Sequence, residues 1–248
     1  MTERPRYKCE PITEALLEIR VEPVGEVNND VLRKAFSVIA DQYPSQPNLV
    51  AIHSEVSVGS NVGVSANQVP NGIVCFTADN KQKVEVRPDG FSFGRLAPYT
   101  GWENFLAEAR RLWEIYRATV QPNTIQQVGV RYINRLDFPR GVFIDDYLNM
   151  LPALPDRLQE GMESFFIQTQ IKEEELKATI SLNEASVPAP NKNTVSFLLD
   201  IGIYRSDELK DEQEFLWDVF AEFRKCKNRT FESLITDKTR EVLYADHN

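Results

Sequence analysis

Hydrophobic residues recur along this chain at two periods, one of two residues and one near 3.6, and the change from one to the other marks out its elements. From Glu14 to Glu22 the alternation is strict. Ala15, Leu17, Ile19 and Val21 fall on one side and Glu14, Glu18, Arg20 and Glu22 on the other, which predicts a half-buried strand ended by Pro23 and Gly25. A longer strand is predicted over 125–138. Val128, Val130, Tyr132, Leu136 and Phe138 share one face, interrupted only by Asn134, while Gln127, Arg131, Arg135 and Asp137 share the other.

Between these two strands the helical period takes over twice. Val31, Leu32, Ala35, Phe36, Ile39 and Ala40 form a stripe behind the capping residues Asn28, Asn29 and Asp30, predicting a helix to about Tyr43 that Pro44 and Pro47 stop. Thr100-Gly101-Trp102-Glu103 fits a capping box, and the stripe from Trp102 through Phe105, Leu112, Trp113 and Tyr116 predicts a helix ending at Gln121-Pro122. In between, Val50, Ile52, Val56 and Val58 alternate as a strand, and 59–72, with its Gly and Asn residues, reads as a loop. Ile73–Ala78, Val84–Arg87 and Phe91–Phe93 then read as strands joined by turns.

After Pro139 a short helix is predicted from Asp145 to Met150, then strands over Phe165–Lys172, Leu176–Asn183 and Thr194–Tyr204, with Glu173-Glu174-Glu175 at a hairpin turn. Phe215, Leu216, Val219, Phe220 and Phe223 predict a closing helix to about residue 227. Its acids Asp211, Glu212, Glu214 and Asp218 come early and its bases late, as the helix dipole favours. Thr236 or Asp237 caps a last helix to about Tyr244. Runs of adjacent strands with helices between them predict an α+β fold, antiparallel sheets with long amphipathic helices packed on one face. Two similar-sized halves are expected, 1–139 with two helices and 140–248 with three strands and a helix, either as separate domains or within one extended sheet.

Composition narrows the function. Among 248 residues, 28 Lys and Arg face 37 Asp and Glu, a net charge of -9 that opposes non-specific binding to nucleic acid or to an anionic membrane. Cys9, Cys75 and Cys226 are odd in number and far apart, so no disulfide framework or CxxC site is indicated; with no signal segment, a cytoplasmic location is expected. No apolar run is long enough to predict a membrane span.

Catalytic chemistry has little material. His53 and His247 are the two histidines, with no HExxH, GxSxG or phosphate-binding glycine motif, so no catalytic residue, metal or cofactor is assigned. Asp145-Asp146 reads as a helix cap. Two surface constellations remain. Glu14, Glu18 and Arg20 on the first strand and Arg131, Arg135 and Asn134 on the central strand are candidates for a charged groove. Glu14 and Glu18 are expected to approach Arg131 and Arg135, as an ion-pair ladder or as a site for an anionic ligand or partner. The second constellation, Arg224, Lys225, Lys227 and Arg229 beside Phe231, has the residue types that hold a phosphate backbone and stack a base.

Pro11–Val21 (PITEALLEIRV) and Gly129–Asp137 (GVRYINRLD), together with Asn228–Thr236, resemble the signature stretches of a sporadically distributed, uncharacterised bacterial protein family of about this length. The resemblance implies a patchily inherited cytoplasmic protein, of the kind found as an accessory beside CRISPR, toxin–antitoxin or other antiphage genes. The expected function is a non-enzymatic protein-binding module in a regulatory or defence-associated complex, with a protein partner and neither nucleic acid nor membrane. The alternative is an enzyme or RNA-binding factor using the charged groove.

Overall fold

A computed structural model describes residues 7–58, 62–159, 162–207 and 213–245. The elements run β1 (Ile12–Pro23), α1 (Asn29–Phe36), β2 (Asn48–Val58), β3 (Val62–Phe76), β4 (Gln82–Arg87), β5 (Gly90–Leu96), α2 (Trp102–Val120) and β6 (Pro122–Pro139). They continue with α3 (Asp156–Gln159), β7 (Phe166–Glu173), β8 (Ala178–Val187), β9 (Thr194–Arg205), α4 (Gln213–Leu234) and α5 (Asp237–Tyr244). All nine strands form one antiparallel sheet in the order β2-β3-β4-β5-β1-β6-β9-β8-β7. The fold is therefore mixed α+β.

The two most legible strands are neighbours at the middle of this sheet. Leu17 lies opposite Phe93 of β5 and Val130 of β6, and Ile19 opposite Phe91 and Val128. All of these side chains are buried, and the row continues through Ile203 and Ile201 of β9 to Ile180 and Leu182 of β8. A continuous apolar face results because the two-residue period is kept in register from strand to strand. Helix α2 buries Trp102, Phe105, Ala109, Leu112, Trp113 and Tyr116, with Phe105 against Phe93 and Trp113 against Phe91. Helix α4 approaches β6 and β9 and buries Leu216, Phe220, Phe223 and Phe231.

Several expectations are corrected. The stretch read as a loop over 59–72 is strand from Val62 onward, because backbone pairing with β2 organises residues whose side chains carry no strong strand signal. The first helix stops at Phe36 and gives way to a 3-10 turn over Ser37–Ile39, although Asn28 does cap it by accepting from the Val31 N–H at 3.1 Å. The capping box at Thr100 does not form. Gly101 is the N-cap, at φ 103°, and the Thr100 hydroxyl is buried with no partner among the described residues. The Asp145–Met150 helix shrinks to a 3-10 turn over Ile144–Asp146, and the closing helix extends past 227 to Leu234. Thr236 caps α5 as expected. Asp211, Glu212 and His247 lie outside the described residues. Among those described, no helix is long and apolar enough to cross a membrane.

One departure from the compact sheet bears on function. Only Ile73–Phe76 of β3 pair with β4, whereas Val50–Val58 and Val62–Pro70 pair with each other. Beyond Ile73 these strands form a two-stranded ribbon with no third strand beside it among the described residues. Gly72, at φ +123°, marks the departure point, where an added Cβ would lie 2.2 Å from the Val86 carbonyl oxygen. The Asn29 amide brackets this residue, donating to the Gly72 carbonyl at 3.1 Å and accepting from its N–H at 2.8 Å.

Candidate functional site

Strand β6 carries most of the candidate residues, and its two faces meet different surroundings. On the face away from the core, Leu16 sits opposite Arg131, with Glu14 opposite Ile133 and Glu18 opposite Gly129. The expected neighbours are thus on adjacent strands, but the ion pairs go elsewhere. Arg131 donates through Nε and Nη2 to the two oxygens of Asp200 on β9, at 2.8 and 2.7 Å. That two-point geometry matches the guanidinium fork to the carboxylate and raises the arginine's pKa further above its ordinary value. Asn183 of β8 adds a third bond to Asp200 at 3.1 Å. Glu14 instead meets Lys83 of β4 at 3.6 Å, and Lys83 also meets Glu85 at 3.5 Å.

Arg135 is held by Asp137 at 3.0 Å, by the Pro188 carbonyl at 2.9 Å and by the Ser196 hydroxyl at 3.0 Å. Ser196 in turn donates to Asp137. Arg20 is exposed, opposite Gln127 and Gly90. Beside Arg131, the Tyr204 ring lies across two strands. An added Cβ at Gly129 or at Gly202 would come within 2.5 Å of it, so both glycines are required for the ring to lie flat. Apolar side chains at Leu16, Ile133, Leu198 and Phe166 are interspersed on this face, Phe166 being 66% exposed. On this face Arg131 and Arg135 are neutralised by Asp200 and Asp137, which is chemically unlike a groove of unpaired arginines.

Asn134 belongs to the other face. It is buried and separated from the charged candidates by the sheet itself, and its amide donates to the carbonyls of Leu199 at 3.0 Å and Tyr132 at 3.3 Å. Two further polar groups share this covered side. Glu184 of β8 lies between Leu199 of β9 and Ile167 of β7 and is fully buried. Neither carboxylate oxygen has a partner among the described residues, and burial pushes the acid up to about 8. Lys227 of α4 places its ammonium 4.4 Å from the centroid of the Tyr132 ring.

The basic segment on α4 does not converge on one surface. Arg224 pairs with Glu103 at 2.9 Å and lies over the Trp102 ring, Lys225 pairs with Glu222 at 2.6 Å, and Arg229 meets Glu173 at 3.8 Å. Lys227 and Phe231 are buried, and Phe231 packs edge-on against Tyr7, so it offers no free ring face to a base. Sequence signals for these placements existed. Glu184 continues the apolar phase of Ala178, Ile180 and Leu182, and Lys227 sits four residues after Phe223 and four before Phe231 on the buried stripe. Asp200 gave no such signal, since its partner Arg131 lies 69 residues away in the chain.

The described residues contain no group of three or more His, Cys, Asp or Glu positioned to hold a metal ion. No protein-family model and no curated protein matches the chain.

Proposed function

We propose that this protein is a non-enzymatic protein-binding module acting in a regulatory or defence-associated complex, and that the β2–β3 ribbon is its principal docking element. The carrying observation is that this ribbon continues past Ile73 with no third strand beside it among the described residues. An isolated two-stranded ribbon is marginally stable in water, and unpaired strand edges recruit further strands. In sequence, Val50, Ile52, Val56 and Val58 share one phase of the two-residue period, and Val50 is exposed. The face of the sheet that carries Arg131 and Arg135, both paired, with apolar residues such as Phe166 between the charges, supports the same reading. The regulatory or defence setting rests on the resemblance of the Pro11–Val21 and Gly129–Asp137 motifs. An enzyme or RNA-binding factor working through the charged groove is less favoured, because Arg131 and Arg135 are already held by Asp200, Asp137 and Ser196.

The test is affinity capture from the native host with two baits, the intact chain and a form in which residues 53–67 are replaced by Asn-Gly. That replacement closes the ribbon at the Ile52–Gln68 pair with a two-residue turn. A specific protein recovered in stoichiometric amount by the first bait and lost with the second is expected. Recovery of RNA or nucleotide without protein would overturn the proposal.

A further inference from the structure

Strand β7 closes the sheet at the end opposite β2, and among the described residues it pairs with β8 alone. The Ser186 N–H donates to the Phe165 carbonyl at 3.0 Å, just beyond the Phe166–Ala185 pair, so Phe165 and Ser186 form a hydrogen-bonded pair of the antiparallel ladder. Such pairs recur at every second position, which directs the backbone groups of Ile167, Thr169, Ile171 and Glu173 toward β8. The N–H and C=O groups of Phe166, Gln168, Gln170 and Lys172 therefore point away from the sheet. Among the described residues no further backbone hydrogen bond takes them up.

Open edges are ordinarily blunted by proline, a bulge, charges or a covering element. β7 has no proline, its register with β8 runs without a shift, and Phe166, Gln168, Gln170, Ile171 and Lys172 are all exposed. Its charges are Lys172 and Glu173 at one end, and Glu173 meets Arg229 of α4 at 3.8 Å. The strand is also complementary to itself when reversed. About a two-fold axis through Thr169, two copies place Gln168 opposite Gln170, Ile167 opposite Ile171 and Lys172 opposite Phe166. Amide meets amide, aliphatic meets aliphatic, the ammonium meets a ring, and no like charges face each other. Every outward backbone group of Phe166, Gln168, Gln170 and Lys172 then finds a partner. Sliding the copies by two residues would leave either Phe166 or Lys172 opposite a residue beyond the end of the strand. At the axis, Thr169 faces its own copy. Its hydroxyl is buried without a partner among the described residues, and the second hydroxyl supplies one.

We infer that the β7 edge is an interface between two copies of this chain, joined antiparallel about Thr169 so that their sheets become one. The occupant of the edge is thus a second copy, chosen by the self-complementary order of residues along the strand. This inference does not rest on the docking role of the ribbon, which belongs to the β2 end of the sheet, so either can fail without the other.

Sedimentation velocity of the purified full chain, from micromolar to several hundred micromolar, tests it. The wild type shifts from monomer to dimer as concentration rises. Gln168→Glu/Gln170→Glu sets acid against acid across the axis and stays monomeric, as does Gln168→Lys/Gln170→Lys. An equimolar mixture of the two restores the dimer, because each lysine then faces a glutamate, a rescue that misfolded variants could not give. Cross-linking reads the register. In a Cys9→Ser background, oxidised Thr169→Cys forms a covalent dimer and Gln168→Cys does not, since Thr169 faces its own copy and Gln168 faces Gln170. A chain that stays monomeric throughout, a dimer that survives in either charged variant, no rescue in the mixture, or cross-linking of Gln168→Cys as complete as that of Thr169→Cys would each overturn the inference.

Discussion

Glu184 makes stability depend on pH in a direction opposite to that of most carboxylates. It points from β8 into the apolar face between Ile167 and Leu199, with both oxygens buried and unpartnered among the described residues. Its acid titrates at about 8 in the folded chain against an ordinary 4.5, with burial as the cause. Between those values the unfolded chain has released a proton that the folded chain still holds, so the unfolded state binds fewer protons and stability falls as pH rises. At ~1.4 kcal/mol per pH unit, the cost is absent below 4.5, reaches ~3 kcal/mol at pH 7 and levels off near ~5 kcal/mol above pH 8. Glu184→Leu removes the titrating group while keeping similar bulk. Urea unfolding of both proteins at several values from pH 5 to pH 8.5 should show the leucine variant gaining on the wild type by ~1 kcal/mol or more per pH unit. Glu184→Gln should lose the same pH dependence while leaving an unpaired buried amide that costs ~1–3 kcal/mol. A difference between wild type and Glu184→Leu that stays constant over this range would refute the reasoning, since the carboxyl would then be ionised or paired in the folded state.

Other parts of the fold give sharper structural tests. Leu17→Ala empties a site between Phe93 and Val130 and should cost about 2–5 kcal/mol in denaturant unfolding, with the midpoint lowered and the slope unchanged. Gly202→Ala drives a methyl into the Tyr204 ring and should cost about 1–3 kcal/mol; adding Tyr204→Ser should recover much of that loss, and purely additive effects would show that the ring does not occupy the space above the glycine. Arg131→Met leaves Asp200 with only its Asn183 bond and should cost about 1–3 kcal/mol, whereas Glu14→Gln should change stability by less than about 1 kcal/mol because its partly exposed pair with Lys83 is long.

Much of this architecture is written in local period. The faces of β1 and β6 are readable because one side of each is buried and the other is not, so Leu17 and Val130 stand out from Glu18 and Arg131. Period does not say which strands become neighbours. That β1 sits between β5 and β6, and that Arg131 finds Asp200 in place of Glu14, depends on pairing between distant segments. Local chemistry also misleads where packing overrides it. Thr100 has the right spacing to Glu103 for a capping box, yet Gly101 takes the cap position and the threonine hydroxyl is buried. The ribbon beyond Ile73 was hidden for a related reason, since Gly63, Asn67 and Asn71 are ordinary loop residues and only cross-strand hydrogen bonding makes a strand of them. Lys227 was legible as a charge, but as a surface one. Its place on the apolar stripe of α4 was the feature that pointed inward.

Amide hydrogen exchange followed by mass spectrometry, on the purified chain before and after addition of the captured partner, tests the docking role of the ribbon most directly. The account predicts that amides over 50–58 and 62–70 exchange much faster than those of β1 and β6 in the free chain, and that they become strongly protected in the complex. Ribbon amides protected in the free chain as well as those of β6, with no change when the partner is added, would contradict it.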